Sequence, residues 1–495
     1  MLLCAVVSAG LSDDPRTSFL GRYDSWAYGV WGLTLVAASA QLASRAARGR
    51  EESPARLLAW SAAFVGGYGA LQKAGFDPVF HIKTLPLGGR AVSTLGSPVD
   101  LGALLAVLWP AALWRADEER TPLALLLAAL TAAGLAASGA RGAMLGAAVG
   151  TAAFLLLSRR GPQALKLCAV GAAAFAAAAV AWSCRAGGSV SDLARKEVWK
   201  AAWTIFKARP WLGWGPDGFE DAFKLHRTDE FIALLGSVRY QAYAHNDLLH
   251  VLAGLGLVGL AAYGWLLWSA GQAGRRALET PAARPLAAAL TAGLLGLWVD
   301  LQLNPVALEV LIAAGACAGL LASLAASPAP RSPRRPLLGA LALVAAVSFF
   351  GSARLAAADA AFKSGLRAQA SGDFAAARRL HGDARRLAPC ELFYMTAELN
   401  ASGDWINATH TVPERLALLD LADADGAAAL ACHPRQSGSH YAAALSSRMR
   451  ADLGFSSRLA DSVREYEAAL ALDPKFEPLQ QAMKEARSLN GSRRP

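Results

Sequence analysis

AHNDLLHVLAGLGLVGLAAY, residues Ala244–Tyr263, is the stretch whose reading decides the fold class. Three polar residues, His245, Asn246 and Asp247, lead into a run with no Asp, Glu, Lys or Arg from Leu248 to Trp268. A bilayer-spanning helix needs about 20 mainly apolar residues, and this run supplies them. The whole chain leans the same way. Of its 495 residues 54% are hydrophobic and 17% charged, against about 25% charged in soluble proteins. The deficit is uneven: residues 1–353 hold long Ala/Leu/Gly/Val stretches, whereas residues 354–495 carry 18 Lys/Arg and 17 Asp/Glu. A single soluble core and a disordered chain are both excluded.

Working outward, hydropathy predicts an all-α, polytopic helical membrane protein with about ten full spans. They fall near residues 26–43, 57–74, 98–114, 122–138, 141–157, 164–183, 246–268, 286–303, 306–326 and 336–352. The opening MLLCAVVSAG is too short to span and lacks a basic leading region, so it is a poor signal peptide. It is expected to be the remainder of a first span truncated at its start. Alternate connections are rich in Arg: Arg45, Arg48, Arg50 and Arg56; Arg115 and Arg120; Arg159, Arg160 and Lys166; Arg275, Arg276 and Arg284; Arg331, Arg334 and Arg335. Lys and Arg in short loops mark the cytoplasmic side. These loops carry most of the formal net charge of +10, so the basic balance is a topology signal and nucleic acid is excluded as a partner.

Two features then face outward. Residues 184–244 form a connection too long to be a mere link, which points to function. Residues 354–495 form a separate, extracytoplasmic α-helical domain. Gly365, Ala377, Ala384 and Pro389 match spacings of the 34-residue tetratricopeptide pattern, and Tyr466, Ala469 and Pro474 repeat part of it in YEAALALDP. Such a repeat domain is expected to dock a protein partner rather than catalyse. The cysteines show no CxxC or His-flanked spacing, so neither a metal site nor a cofactor is expected. Cys390 and Cys432, both in the charged part, either pair in an oxidising compartment or stay as thiols.

Ionisable groups near membrane depth are costly and therefore mark function. Arg141, in SGARGA, sits at the outer turn of a helical hairpin among small residues that leave its guanidinium uncrowded. In the long connection, Trp199, Ala202, Trp203 and Phe206 recur at helical spacing opposite Arg195, Lys196, Lys200 and Lys207. That pattern predicts a basic amphipathic helix resting in the outer headgroup layer, with Arg195 able to clamp a phosphate bidentately. Pro210, Gly213, Gly215 and Gly218 then turn the chain. His245 and Asn246 stand where it re-enters the membrane, and imidazole suits proton transfer near neutral pH. His250 lies off the His245 face, against a metal pair. Asp300 is expected about one turn inside the outer end of its span, paired with an arginine or orienting His245. Asp423-Ala-Asp425 has the look of a metal-binding DxD but falls in the helical domain and reads as surface.

Together these segments resemble the O-antigen ligase and polymerase superfamily of bacterial envelope glycosyltransferases, over most of residues 75–326. Four ordered pieces carry the resemblance: RAVSTLGSP (Arg90–Pro98), SGARGA (Ser138–Ala143), the run from Arg195-xxx-Trp199 to Pro210-xx-Gly213-x-Gly215, and His245-Asn246 leading into LGLVG. Gly96-Ser97-Pro98 stands where that family commonly has GNP. A branch of the family carries a C-terminal tetratricopeptide-like domain. The resemblance implies a multi-pass protein of the bacterial inner membrane, with its C-terminal domain in the periplasm. The implied donor is a glycan on undecaprenyl diphosphate, transferred at the outer face to lipid A–core, a growing polysaccharide or a protein. Membrane lipids surround the enzyme, and no cofactor is implied. In that chemistry Arg141 and Arg195 stabilise the diphosphate and His245 is the base. Arg90, Arg239, Asn246 and Asp300 bind or orient substrate. Two other readings compete: a flippase for an anionic lipid-linked glycan, and a catalytically dead scaffold for envelope glycan assembly.

Overall fold

The computed structural model describes residues 1–23, 26–80, 85–158, 163, 170, 190–326 and 335–492, and among these no strand occurs. The expected span at 164–183, apart from Val170, lies outside the described residues, as do Arg159, Arg160, Lys166, Arg331 and Arg334. The chain divides into two compact units: Met1–Phe219 with Gln241–Leu341, and Glu220–Tyr240 with Ala342–Pro495.

In the first unit the helices are α1 (Leu2–Gly10), α2 (Pro15–Leu20), α3 (Val30–Ala46), α4 (Glu52–Lys73), α5 (Pro86–Gly89), α6 (Pro98–Glu119), α7 (Pro122–Ser138), α8 (Arg141–Ser158), α9 (Val190–Ala208), α12 (Asp247–Glu279), α13 (Arg284–Leu301) and α14 (Leu308–Leu324). Two short helices of the long connection, α10 (Phe219–His226) and α11 (Asp229–Leu235), come between α9 and α12. Helices thus stand at every expected span position within the described residues. Among the described residues of this unit, four helices are long and apolar enough to cross a membrane: α6, α8, α12 and α13. The 17-residue helices α7 and α14 are apolar but shorter. Helix α4 has the length, but Glu52, Arg56, Gln72 and Lys73 dilute its hydropathy.

Helix α6 lies at the centre, with Leu101, Leu105, Leu108 and Ala112 fully enclosed. Ser97 caps it, its hydroxyl accepting from the Asp100 N–H, and Pro98 opens the first turn. The surrounding helices come close because their seams are glycine and alanine, as helix pairs in lipid favour. A Cβ at Gly293 of α13 would lie 2.1 Å from the Val107 carbonyl oxygen of α6, and one at Gly146 of α8 2.3 Å from the Gly296 carbonyl oxygen. Dry, close-packed contact of this kind holds helices at fixed spacing.

Helix α12 is not the single continuous span the sequence suggests. It breaks at Gly256, whose φ of 63° and ψ of −162° leave the helical region. A break exposes backbone groups that lipid cannot satisfy, and the preceding connection supplies the partners. Leu257 and Val258 donate to the carbonyls of Pro210 and Trp211, while the Ala253 and Gly254 carbonyls accept from Trp214 and Gly215. Ser8 of α1 donates to Leu212 and Gly254 oxygens. A Cβ on Gly256 would meet the Trp211 oxygen at 2.3 Å. Only glycine accommodates both the backbone angle and the approach.

The second unit contains Glu220–Tyr240, the greater part of α15 (Arg335–Ala370), and α16 (Phe374–Leu387), α17 (Leu392–Ala408), α18 (Val412–Cys432), α19 (Ser437–Asp452), α20 (Arg458–Leu472) and α21 (Glu477–Ser492). From α16 onward each helix packs on the next. Within α15, Ala342–Ala370 is long and apolar enough to cross a membrane. Small residues again set the packing: Ala377, Ala384 and Ala469 are buried, and Gly365 makes room for the ring of His381. Cys390 and Cys432 are joined, with their Cα atoms 5.4 Å apart. Asp423 and Asp425 are both held in ion pairs, with Arg450 and with Arg378.

Candidate functional site

Five chain segments of the first unit meet around the turn between α7 and α8. Gly139 ends α7 in the left-handed region at φ 58°, and Arg141 opens α8 two residues later. Arg90 lies along this turn, its Nε donating to the Ser138 carbonyl at 2.7 Å. Burial, and then the Arg141 charge, pull the Arg90 guanidinium below its ordinary pKa. Two cations held this close repel, and an anion between them relieves that repulsion.

The third cation comes from α9. Arg195 pairs with Asp192 at 3.0 Å, one turn away on the same helix, and Arg141 reaches the same carboxylate oxygen at 3.5 Å. Asp192 is buried and thus ties α8 to α9. The Arg195 Nε is buried with no hydrogen-bond partner among the described residues. Helix α9 does not merely rest on lipid as its pattern suggested. Ala194, Val198, Ala201, Ala202 and Ile205 are buried, and the helix packs on α12. The aromatics Trp203 and Phe206 stack on each other, with Trp203 exposed. Small side chains decide which face approaches closely.

His245 is the next member. Its backbone is left-handed at φ 51°, a conformation that costs a non-glycine residue free energy. Trp199 of α9 donates its indole N–H to the His245 carbonyl at 3.4 Å. The ring Nε2 lies 3.1 Å from the Gln241 Oε1, which can only accept, so Nε2 carries the proton. The Nδ1 is then the lone-pair nitrogen, buried and without a partner among the described residues. Burial, and then the charge of Arg195, push the imidazole down to about 4, so it is neutral at physiological pH.

Asn246 caps α12, its oxygen accepting from the Leu249 N–H at 3.0 Å, and donates to the Gln302 carbonyl at 3.4 Å. Asp300, fully buried near the end of α13, accepts from Asn304 at 2.7 Å. Among the described residues no ion pair joins Asp300 to an arginine, and its other oxygen has no hydrogen-bond partner. The arginines turn instead to Asp192. Asn304 lines a narrow cleft together with His245, Asn246, Asp247, Tyr28 and Tyr243.

Of the sequence-derived candidates, Arg90, Arg141, Arg195, His245, Asn246 and Asp300 thus all fall in one unit. Arg239 falls in the other, exposed. Sequence reading passed over Asp192 and Gln241. The i, i+3 spacing of Asp192 to Arg195 and the i, i+4 spacing of Gln241 to His245 were the available signals. Tyr28, distant in sequence, carried none.

Comparison with known families matches residues 126–264 to the family model described as O-Antigen ligase. No individual curated protein matches the chain. The matched segment runs from α7 into the middle of α12 and includes Arg141, Asp192, Arg195, Gln241 and His245.

Proposed function

We propose, from the similarity of residues 126–264 to the family model described as O-Antigen ligase, that this chain is a membrane protein of polysaccharide assembly and a glycan-transferring enzyme. It transfers a glycan from undecaprenyl diphosphate to an acceptor hydroxyl at the outer face of the bacterial inner membrane. The observation that carries this reading is the grouping of Arg90, Arg141 and Arg195 beside a histidine whose Nδ1 has no hydrogen-bond partner among the described residues.

The acceptor oxygen attacks the anomeric carbon, and the bond from that carbon to the diphosphate oxygen breaks. Its electron pair leaves on the diphosphate, whose growing charge the three guanidiniums stabilise in place. The proton of the acceptor hydroxyl passes to His245 Nδ1. Gln241 fixes the tautomer, and Asp192 spaces Arg141 from Arg195. Asn246 anchors the start of α12, and Asp300 holds Asn304 at the cleft. A single displacement inverts the anomeric configuration. The second unit reads as a tetratricopeptide-like domain on the periplasmic side, which its disulfide supports, since such bonds persist in oxidising compartments.

Deleting the gene and analysing the accumulated glycolipid tests this directly. Long glycan on undecaprenyl diphosphate identifies a ligase to lipid A–core or to protein; single repeat units identify a polymerase. Restoring the gene with His245→Ala should leave that accumulation in place although the protein inserts. Normal surface glycan in this variant would overturn the reading in favour of a scaffold. Glycolipid translocation by purified protein in liposomes, without transfer, would overturn it in favour of a flippase.

A further inference from the structure

Separate segments of the first unit close on the cleft beside His245, and one side chain touches them all. Tyr28 stands just before α3. Its ring lies 5.4 Å from that of Tyr243 and 4.8 Å, edge-on, from that of His250 on α12. Its hydroxyl accepts the Val306 N–H at 3.2 Å, beyond the end of α13. The loop from α13 to α14 forms the facing wall and is pinned along its length. Asn304 donates to Asp300, the Gln302 carbonyl accepts from Asn246, and the Ala307 N–H donates to Asp100 of α6 at 2.7 Å.

The space so enclosed has room for about one water-sized group. Its lining is nonetheless rich in polar side chains: Tyr28, His245, Asn246, Asp247 and Asn304. A sugar ring does not fit there; a single hydroxyl does. Asn304 and Pro305 line the cleft next to Val306, so the hydroxyl end of Tyr28 is the end turned to it. That hydroxyl accepts from Val306 and donates to no residue among those described. His245 Nδ1 is the complementary group, a buried lone pair with no partner among the described residues. A hydroxyl has one hydrogen to give and two lone pairs. Seated here, it gives its hydrogen to Nδ1, takes the Tyr28 hydrogen on one lone pair and keeps the other for attack.

We propose that this cleft seats the reacting hydroxyl of the acceptor, and that Tyr28 is a further acceptor-binding residue, donating to that oxygen and aiming its proton at His245. The inference rests on the transfer reaction proposed above. The acceptor is gripped through one hydroxyl while its bulk stays outside, so a small alcohol can take the same seat. In the reaction the acceptor O–H bond breaks as the proton moves to Nδ1, and the oxygen's remaining lone pair forms the bond to the anomeric carbon. The bond from that carbon to the diphosphate breaks with its electron pair on the diphosphate. Electron density leaves the acceptor oxygen on the way, which weakens the bond from Tyr28. The contact therefore serves binding of the acceptor more than the rate of the chemical step.

The test uses the purified full-length protein in vesicles, with the glycolipid that accumulates on gene deletion as donor and methanol as acceptor probe. Wild type should release the methyl glycoside of the glycan, read by mass spectrometry. Tyr28→Phe removes only the hydroxyl oxygen and its hydrogen. It should raise KM by about 5-fold, both for methanol and for the acceptor in an envelope extract, as expected for one neutral hydrogen bond. The kcat should stay within about 2-fold, because the interaction is made in the ground state. A structural loss, with the Val306 N–H left unaccepted, would instead lower kcat or the yield of folded protein and leave KM alone. Unchanged KM, or a fall in kcat alone, would overturn the proposal. If Tyr28→Phe does not fold, wild type decides: methanol should compete with the envelope acceptor and not with the donor. Wild type that glycosylates the envelope acceptor but forms no methyl glycoside would overturn the proposal, as would competition with the donor. Wild type that transfers glycan to neither acceptor would refute the reaction itself, and the seat with it.

Discussion

A methyl group on Gly142 should separate stability from activity. Gly142 is the second residue of α8, next to Arg141, and it faces the pair formed by Asp300 of α13 and Asn304 just beyond that helix. A Cβ placed there would lie 2.3 Å from Asp300 Oδ1 and 2.4 Å from Asn304 Nδ2. Real Cβ atoms keep at least 3.0 Å, so the start of α8 must withdraw by about 0.7 Å or the buried pair must move. Overpacking of this kind costs about 1–3 kcal/mol. Alanine returns about 1 kcal/mol of helix propensity, so the net destabilisation is only about 0–2 kcal/mol. The geometric cost is larger. The Arg141–Asp192 contact is already 3.5 Å, and a shift approaching 1 Å at a catalytic group lowers rate by about 100-fold. Gly142→Ala should therefore insert, melt within a few degrees of wild type and transfer glycan about 100-fold more slowly. Gly264→Ala is the control, because a Cβ there meets nothing within 4 Å. Transfer rates in reconstituted vesicles and thermal melts of both variants decide it. Gly142→Ala activity within 3-fold of the control would refute the idea that α8 and α13 set the arginine position.

Three further outcomes follow from the same geometry. His245, pushed down to about 4 by burial and then by Arg195, should keep kcat/KM high through pH 5, with the acid limb near 4. Arg195→Gln removes a lowering charge and should move that limb upward; an acid limb that stays in place in Arg195→Gln would show that the titrating group is not the His245 imidazole beside Arg195. Arg195→Lys keeps the charge but loses the planar fork, and roughly a 10–100-fold loss of kcat is expected in steady-state transfer assays; unchanged kcat would mean that a point charge suffices. Cys390 and Cys432 are separated by 42 residues in sequence, so opening their loop should cost the second unit up to about 4 kcal/mol. A melting temperature of that unit indifferent to reductant would show that the closed loop contributes nothing.

The sequence revealed the helices more fully than their joints. Hydropathy found the positions of α6, α8, α12 and α13 because each is an uncharged run of span length. It could not find the break at Gly256, since LGLVG reads as unbroken apolar helix; the break exists only because Pro210–Gly215 supply backbone partners. The candidate arginines and His245 stood out as rare charges near membrane depth. Their common acid did not, because Asp192 sits in a charged, ordinary-looking helix and gains its meaning from burial between two arginines. Asp300 drew attention by the same rarity, yet its partner is Asn304, a neutral side chain to which a charge-based reading is blind. The allegiance of Glu220–Tyr240 to the second unit is a long-range pairing, and no local pattern announces it.

The broken helix also bears on how the chain is made. Residues 210–215 precede α12 in synthesis, so the segment that satisfies the exposed backbone of Gly254–Val258 has left the ribosome before that backbone has to enter lipid. Reversing that order, as in a circular permutant opened between Gly218 and Asp247, would send the break into the membrane before its partner exists. The position of the connection ahead of its helix is thus a matter of timing: the nascent chain carries its own template for a membrane segment whose helical backbone is interrupted.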